Sequence, residues 1–241
     1  MADGRAPRTS YPARVSAVET IARRVVGVTF AGPALRAFPE PSPGGHLRIA
    51  FAEQEPPGNE ARYLRRTFTP RRFDAATGEL YVEFVLHGAG LAADWARAAS
   101  IGDPVVISGE GGGYRPVPVG GNFVIAVDDT GVPAAGTVVE ALPADTVLTV
   151  LCEVTDADDE RPLSPERDVV VEWLHRGPTG AEPGALLEAS VRALPAGLQA
   201  GWFVAAEART VRALHRHLLE DRGAAPETVE PRGYWRRRDP A

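Results

Sequence analysis

The chain has no lysine: all 26 of its basic residues are arginine, set against 32 acidic residues for a net charge of −6. Schiff-base chemistry and a Walker A phosphate loop both need a lysine and are excluded. An acidic balance is also wrong for a protein that lives on a nucleic-acid backbone. There is one cysteine, Cys152, within the apolar run VLTVLCEV, so no internal disulfide and no multi-cysteine metal site can form. Its surroundings predict a buried strand residue and not a nucleophile. No apolar run approaches the ~18–20 residues of a membrane helix. The opening MADGRAPRTSYPARV lacks the apolar core of a secretory signal, so the sequence is expected to be cytoplasmic and off the membrane.

Several catalytic signatures are missing as well. There is no G-x-S-x-G elbow, and none of the five histidines sits in H-E-x-x-H. His215 and His217 are two apart on a predicted helix and point to different sides, so they cannot share an ion. The run Gly111-Gly112-Gly113 is followed by Tyr114 and reads as a tight turn, not a dinucleotide fingerprint. No metal site is expected.

What is present is ordinary globular composition, 44% hydrophobic and 24% charged, in 241 residues. Two grammars divide it. Residues 1–119 carry short extended segments (RVVGVTFAG, HLRIAF, YLRRTFT, ELYVEFVLHG, DPVVIS) punctuated by Gly and Pro, which predict an antiparallel β-barrel or sandwich. Only LAADWARAA looks helical there. Residues 120–241 alternate strands with helices: NFVIAV, PAAGTVVEAL, TVLTVLCEV, DVVVEWL, GALLEASVRAL, GWFVAAE and EARTVRALHRHLLEDRG. That alternation predicts an α/β unit with a parallel sheet. The acidic, proline-bearing stretch TDADDERPLSPERD is expected as a solvated loop or an excursion over a cleft.

The residues left over suit a nucleotide cofactor. Arg66-Thr67-Phe68-Thr69 puts an arginine, an aromatic and a hydroxyl on an extended stretch. Arginine can neutralise a pyrophosphate bidentately, an aromatic can pack on a flavin, and threonine can reach the flavin edge. Downstream come Phe84-Val85-Leu86-His87-Gly88, then Gly90–Ala96, a helix start whose free amides suit phosphate. Val127-Asp128-Asp129-Thr130-Gly131-Val132-Pro133-Ala134, Phe203–Glu207 and Gly233-Tyr234-Trp235-Arg236-Arg237 complete the set.

In this order and spacing, these segments resemble the siderophore-interacting protein family, the flavin-dependent ferric-siderophore reductases of the ferredoxin-reductase superfamily. The resemblance runs from about Arg14 to Arg237 and includes EALP (140–143), WLHR (173–176) and LPAG (194–197). It implies an N-terminal antiparallel FAD-binding barrel followed by a parallel-sheet NAD(P)H-binding-type domain. It implies FAD held by Arg66, Thr67, Phe68, Thr69, Val85, His87, Gly88, Ala92, Ala93 and Trp95, with Asp129 and Thr130 on the nicotinamide side. Thr69 is the residue expected to tune the flavin. The substrate is a small molecule of ferric-siderophore type, and Arg236 and Arg237 are the candidates to hold it.

The departures matter too. Phe68 stands where the family has tyrosine, Leu91 and Ala93 replace a proline and a serine, and Asp94 puts a carboxylate near the expected pyrophosphate. Val127 and Ala206 stand where the family has glycine, and their methyl groups are expected to hinder a nicotinamide nucleotide. A second reading therefore stays open: a flavin-binding homologue turned to a non-redox step in a natural-product pathway.

Overall fold

The computed structural model describes residues 9–52, 63–86, 90–165 and 167–237. The chain separates into two compact units, 1–114 and 115–241.

The first unit carries β1 (Ser10–Ala22), β2 (Val25–Ala31), β3 (His46–Ala52), β4 (Tyr63–Phe68), β5 (Arg72–Asp74), β6 (Glu79–Val85), α1 (Leu91–Ala98) and β7 (Pro104–Gly111). Its seven strands pair in the order β4-β3-β7-β1-β2-β6-β5, all antiparallel. β4 lies at one edge and β6 one strand from the other, yet Phe68 of β4 packs on Phe84 of β6 with ring centroids 4.4 Å apart. A flat sheet could not bring them together, so the sheet curls into a barrel-like wall. Its inward residues, among them Val28, Phe30, Ile49, Phe51, Leu80, Val82 and Ile107, form one core. α1 closes over that core: Trp95 stacks on Phe51 at 4.7 Å and lies 5.5 Å from Phe84. β1 and β5 are strands that the sequence did not announce. β1 is the longest element, but large apolar residues are scarce in it; Ala13 and Val15 are its fully buried positions.

The second unit carries β8 (Asn122–Asp128), α2 (Val132–Ala141), β9 (Val147–Val154), β10 (Glu172–His175), α3 (Ala185–Ala193), β11 (Gly201–Glu207), α4 (Ala208–Arg216) and β12 (Val229–Trp235). Five parallel strands run in the order β10-β9-β8-β11-β12. Central strands of such a sheet are covered on both faces, which explains why FVIAVD and all of GWFVAAE are buried. Cys152 is wholly buried in β9, and burial pushes its thiol well above the ordinary range.

DVVVEWL is mostly not strand; only Glu172–His175 pairs. The acidic stretch before it is not a solvated loop either. Asp159, Arg161, Leu163 and Ser164 are buried. Arg167 donates to the carbonyls of Val139, Pro143, Ala144 and Thr146, which ties this segment to the end of α2. The helix expected through Asp221 is α-helical only to Arg216 and then widens into a π turn over His217–Asp221.

Candidate functional site

In the first unit the structure gathers β4, the end of β6 and α1. Arg66 and Thr67 lie exposed on β4, the terminal strand of the sheet. Arg66 donates from Nη1 to the carbonyl of its neighbour Arg65 at 2.9 Å, and among the described residues no acidic partner holds it. Thr69 follows the strand and is 8% exposed. Phe68 is half-buried between Phe84 and Phe51, and Val85 ends β6 half-buried. His87 and Gly88 lie outside the described residues.

α1 begins after Gly90 with no side chain capping its first amides. Ala92 and Trp95 pack against the barrel core and Ala93 is buried, so these side chains serve the interior; Leu91 and Asp94 are the exposed positions of the first turn. Asp94 points away into solvent and pairs with Arg97 at 2.8 Å, which removes the repulsion its position suggested. This donor set suits FAD. An exposed guanidinium and an uncapped helix start answer a pyrophosphate, and the edge strand with a buried hydroxyl at its end answers the ring system.

The second unit has its switch point between β8 and β11, the place where open parallel sheets bind ligands beyond their strand ends. Four acidic residues organise it. Asp128 accepts from Thr130 N (2.9 Å) and Thr130 Oγ1 (2.6 Å) on one oxygen, and from Glu207 N (2.9 Å) and Trp235 Nε1 (2.8 Å) on the other. It thereby fastens the ends of β8, β11 and β12 together. Glu207 caps α4 through the amides of Arg209 and Thr210 and also accepts from Arg237 N at 3.1 Å. Burial pushes the Glu207 pKa up, but these backbone bonds outweigh it, and the net shift is downward. Glu153 is fully buried and accepts from Gly184 N (2.7 Å) and Leu187 N (2.9 Å) at the start of α3. Gly184 is obligatory there: its φ is +90°, and a Cβ would collide with Thr210.

Asp129 is the fourth. Arg176 joins it to Glu153 and Thr155, donating to Asp129 Oδ2 (3.1 Å), Glu153 Oε1 (3.3 Å) and Thr155 Oγ1 (2.9 Å). Arg161 donates to the Asp129 carbonyl at 3.2 Å. Burial dominates the Asp129 carboxyl and, against the pull of Arg176, raises its pKa to about 7. Gly131 closes the turn, because a Cβ would run into the Ala205 carbonyl and the Val127 side chain. α2 starts here with no side-chain cap.

Val127 and Ala206 do not act as their sequence positions suggested. Both are 0% exposed; Val127 packs on Gly131, and Ala206 belongs to the core beneath α3 and α4. Their methyl groups face the interior and do not line the strand ends. Thr130 directs both its donors to Asp128. Arg237 pairs with Glu182 and donates to the Pro183 carbonyl at 2.9 Å, while Arg236 stays exposed. The strand-end bonds of Asp128 and the helix-start bonds of Glu153 and Glu207 were missed from sequence. The available signal was an acidic residue at a strand end, directly before a helix in the case of Glu207. Among the described residues there is no helix long and apolar enough to cross a membrane and no cluster of potential metal ligands.

Comparison with known proteins gives consistent matches over both units. A family model described as the siderophore-interacting FAD-binding domain matches residues 14–114, and one described as siderophore-interacting protein matches 121–238. Ferric vibriobactin reductase ViuB of Vibrio cholerae is 28% identical over 232 residues, covering 90% of this chain and 86% of that protein. A siderophore utilization protein from T. fusca, known from its crystal structure, is 31% identical, covers 96% of this chain and 94% of its own, and superposes with a TM-score of 0.80. The siderophore-interacting protein SipS from Aeromonas hydrophila, 24% identical, shares the fold over 97% of this chain and 94% of its own with a TM-score of 0.81.

Proposed function

Because the chain belongs to the siderophore-interacting protein family, we propose that it is an FAD-dependent reductase that moves electrons from a reduced nicotinamide to the iron of a ferric siderophore. The observation that carries this reading is the cradle on β4 and α1. Arg66, exposed and without an acidic partner among the described residues, stands in the same unit as the uncapped start of α1, with Thr69 buried at the strand's end.

In this reading residues 1–119 hold the flavin and 120–241 serve the nicotinamide nucleotide. Arg66 neutralises the FAD pyrophosphate together with the first amides of α1. Thr67 and Phe68 shape the wall beside it, and the Thr69 hydroxyl bonds to the polar edge of the ring system and sets its electron affinity. FAD supplies the exchange of a two-electron donor for single electrons, so the protein's part is binding, orientation and electrostatics. On the second unit, the uncapped start of α2 at Gly131 receives the nucleotide's phosphates, since α3 and α4 already carry Glu153 and Glu207. Asp129 and Thr130 border that position. Arg236, exposed where Arg237 is engaged, meets the anionic chelate. Iron leaves after reduction because the ferrous ion is a poorer partner for hard oxygen ligands. A nicotinamide donor places the work in the cytoplasm.

The test is spectroscopic. The purified protein should be yellow and should bleach under anaerobic NADH or NADPH. A colourless protein that takes up no added FAD contradicts the reading. A yellow protein bleached by dithionite but by neither nucleotide favours the non-redox alternative.

A further inference from the structure

Resting on the reductase reading, we propose that the nucleotide's phosphates enter at the start of α2 together with a proton, and that Asp129 is the residue that takes it. Acid then strengthens nucleotide binding and base weakens it.

Buried charges of unequal number meet at the turn between β8 and α2. Asp128 ends β8, Asp129 follows it, Glu153 lies in β9 and Asp159 in the segment after β9, and all four are buried. Arg176 and Arg161 are the cations that face Asp129. Cys152 of β9 lies in the same field, but burial pushes its thiol well above the ordinary range and leaves it neutral. The carboxylates are not equally supplied with donors. Asp128 accepts from Thr130 N, Thr130 Oγ1, Glu207 N and Trp235 Nε1, and Glu153 accepts from two amides as well as from Arg176. Among the described residues Arg176 is the one donor to the Asp129 carboxyl, and it divides its charge with Glu153.

A buried carboxyl with a single, shared donor is the member of such a cluster that holds a proton. Burial is the main push and takes the Asp129 pKa to about 7; Asp128 and Asp159 add to it, while Arg176 and Arg161 oppose it. Asp129 therefore stands half ionised near neutrality, two residues before Gly131, where α2 begins with no side-chain cap. A pyrophosphate at that start brings two negative charges beside this carboxyl. Protonating Asp129 removes the repulsion and leaves more of the Arg176 charge uncompensated. Ligand and proton thus favour each other, and the coupling is reciprocal.

Titration calorimetry of the flavin-loaded full chain with NAD+, run in two buffers of different ionisation heat, counts the protons bound without turnover. NAD+ itself has no group that titrates near neutrality. About half a proton should enter per NAD+ bound at pH ~7.5, and the affinity should fall about tenfold between pH ~6 and ~9 at low salt. Asp129→Asn, and Asp129→Ala as a second uncharged variant, should bind NAD+ with no proton uptake and with one affinity across that range. Wild-type binding without uptake overturns the proposal, and so does uptake that these variants retain. Absence of NAD+ binding at every pH also overturns it. In that last case the reductase reading is judged separately, by whether dithionite-reduced protein still reduces a ferric chelate.

Discussion

Replacing Asp129 with asparagine should stabilise the protein above neutral pH and change it little in mild acid. The Asp129 carboxyl is buried beside Asp128, and its pKa rises from 3.8 to about 7 although Arg176 donates to it at 3.1 Å. A raised folded-state pKa means that the native state binds the proton more tightly than the unfolded chain does. The resulting stability is complete below about pH 4 and is lost as pH rises through about 7. The shift of about three pKa units corresponds to ~4 kcal/mol at most, with 1.36 kcal/mol per unit. Asparagine carries no charge to desolvate at any pH and keeps an oxygen for Arg176. Urea unfolding of both proteins at about pH 5, 6.5 and 8 should show the variant's advantage growing with pH. An advantage that is flat with pH, or one that grows toward acid, would refute the claim that burial outweighs the arginines.

Arg66→Ala should lose most bound FAD with no change in the melting temperature of the FAD-free protein, because among the described residues Arg66 bonds only to its neighbour's carbonyl; wild-type flavin stoichiometry would count against the cradle. Asp128→Asn turns an acceptor facing Glu207 N and Trp235 Nε1 into a donor, at a cost of about 1–3 kcal/mol, and should shift the tryptophan emission as Trp235 loses its anchor. Unchanged stability and emission would mean that the knot at the strand ends carries no load. Cys152 should resist thiol reagents until the protein unfolds, and rapid labelling of the native state would contradict its burial in β9.

The architecture was readable wherever one strong pattern had no rival. GWFVAAE is β11 residue for residue, since a run of that length between a glycine and a helix start has no other good place in an α/β unit. β1 escaped because Ala and Val stand on both of its faces, Ala13 and Val15 buried but Ala17 and Val18 exposed beside Glu19 and Thr20, so the alternation carries little hydrophobic contrast. Trp95 shows a different limit. An aromatic residue near a presumed cofactor helix has the same sequence appearance whether it faces the ligand or the core, and here Phe51 takes its ring. Val127 and Ala206 failed likewise, because which side a methyl group faces depends on strand register. The carboxylate knot of Asp128, Glu153 and Glu207 is a long-range feature, with partners 79 residues apart in one bond and 107 in another, and no local pattern encodes it.

Electron delivery to iron is the most direct test of the account. Protein reduced by dithionite, freed of excess reductant and mixed anaerobically with a ferric siderophore, should regain its oxidised flavin spectrum while ferrous iron appears in a ferrous-specific chelator. Reduced flavin that persists beside intact ferric chelate, with no ferrous iron formed, would contradict it.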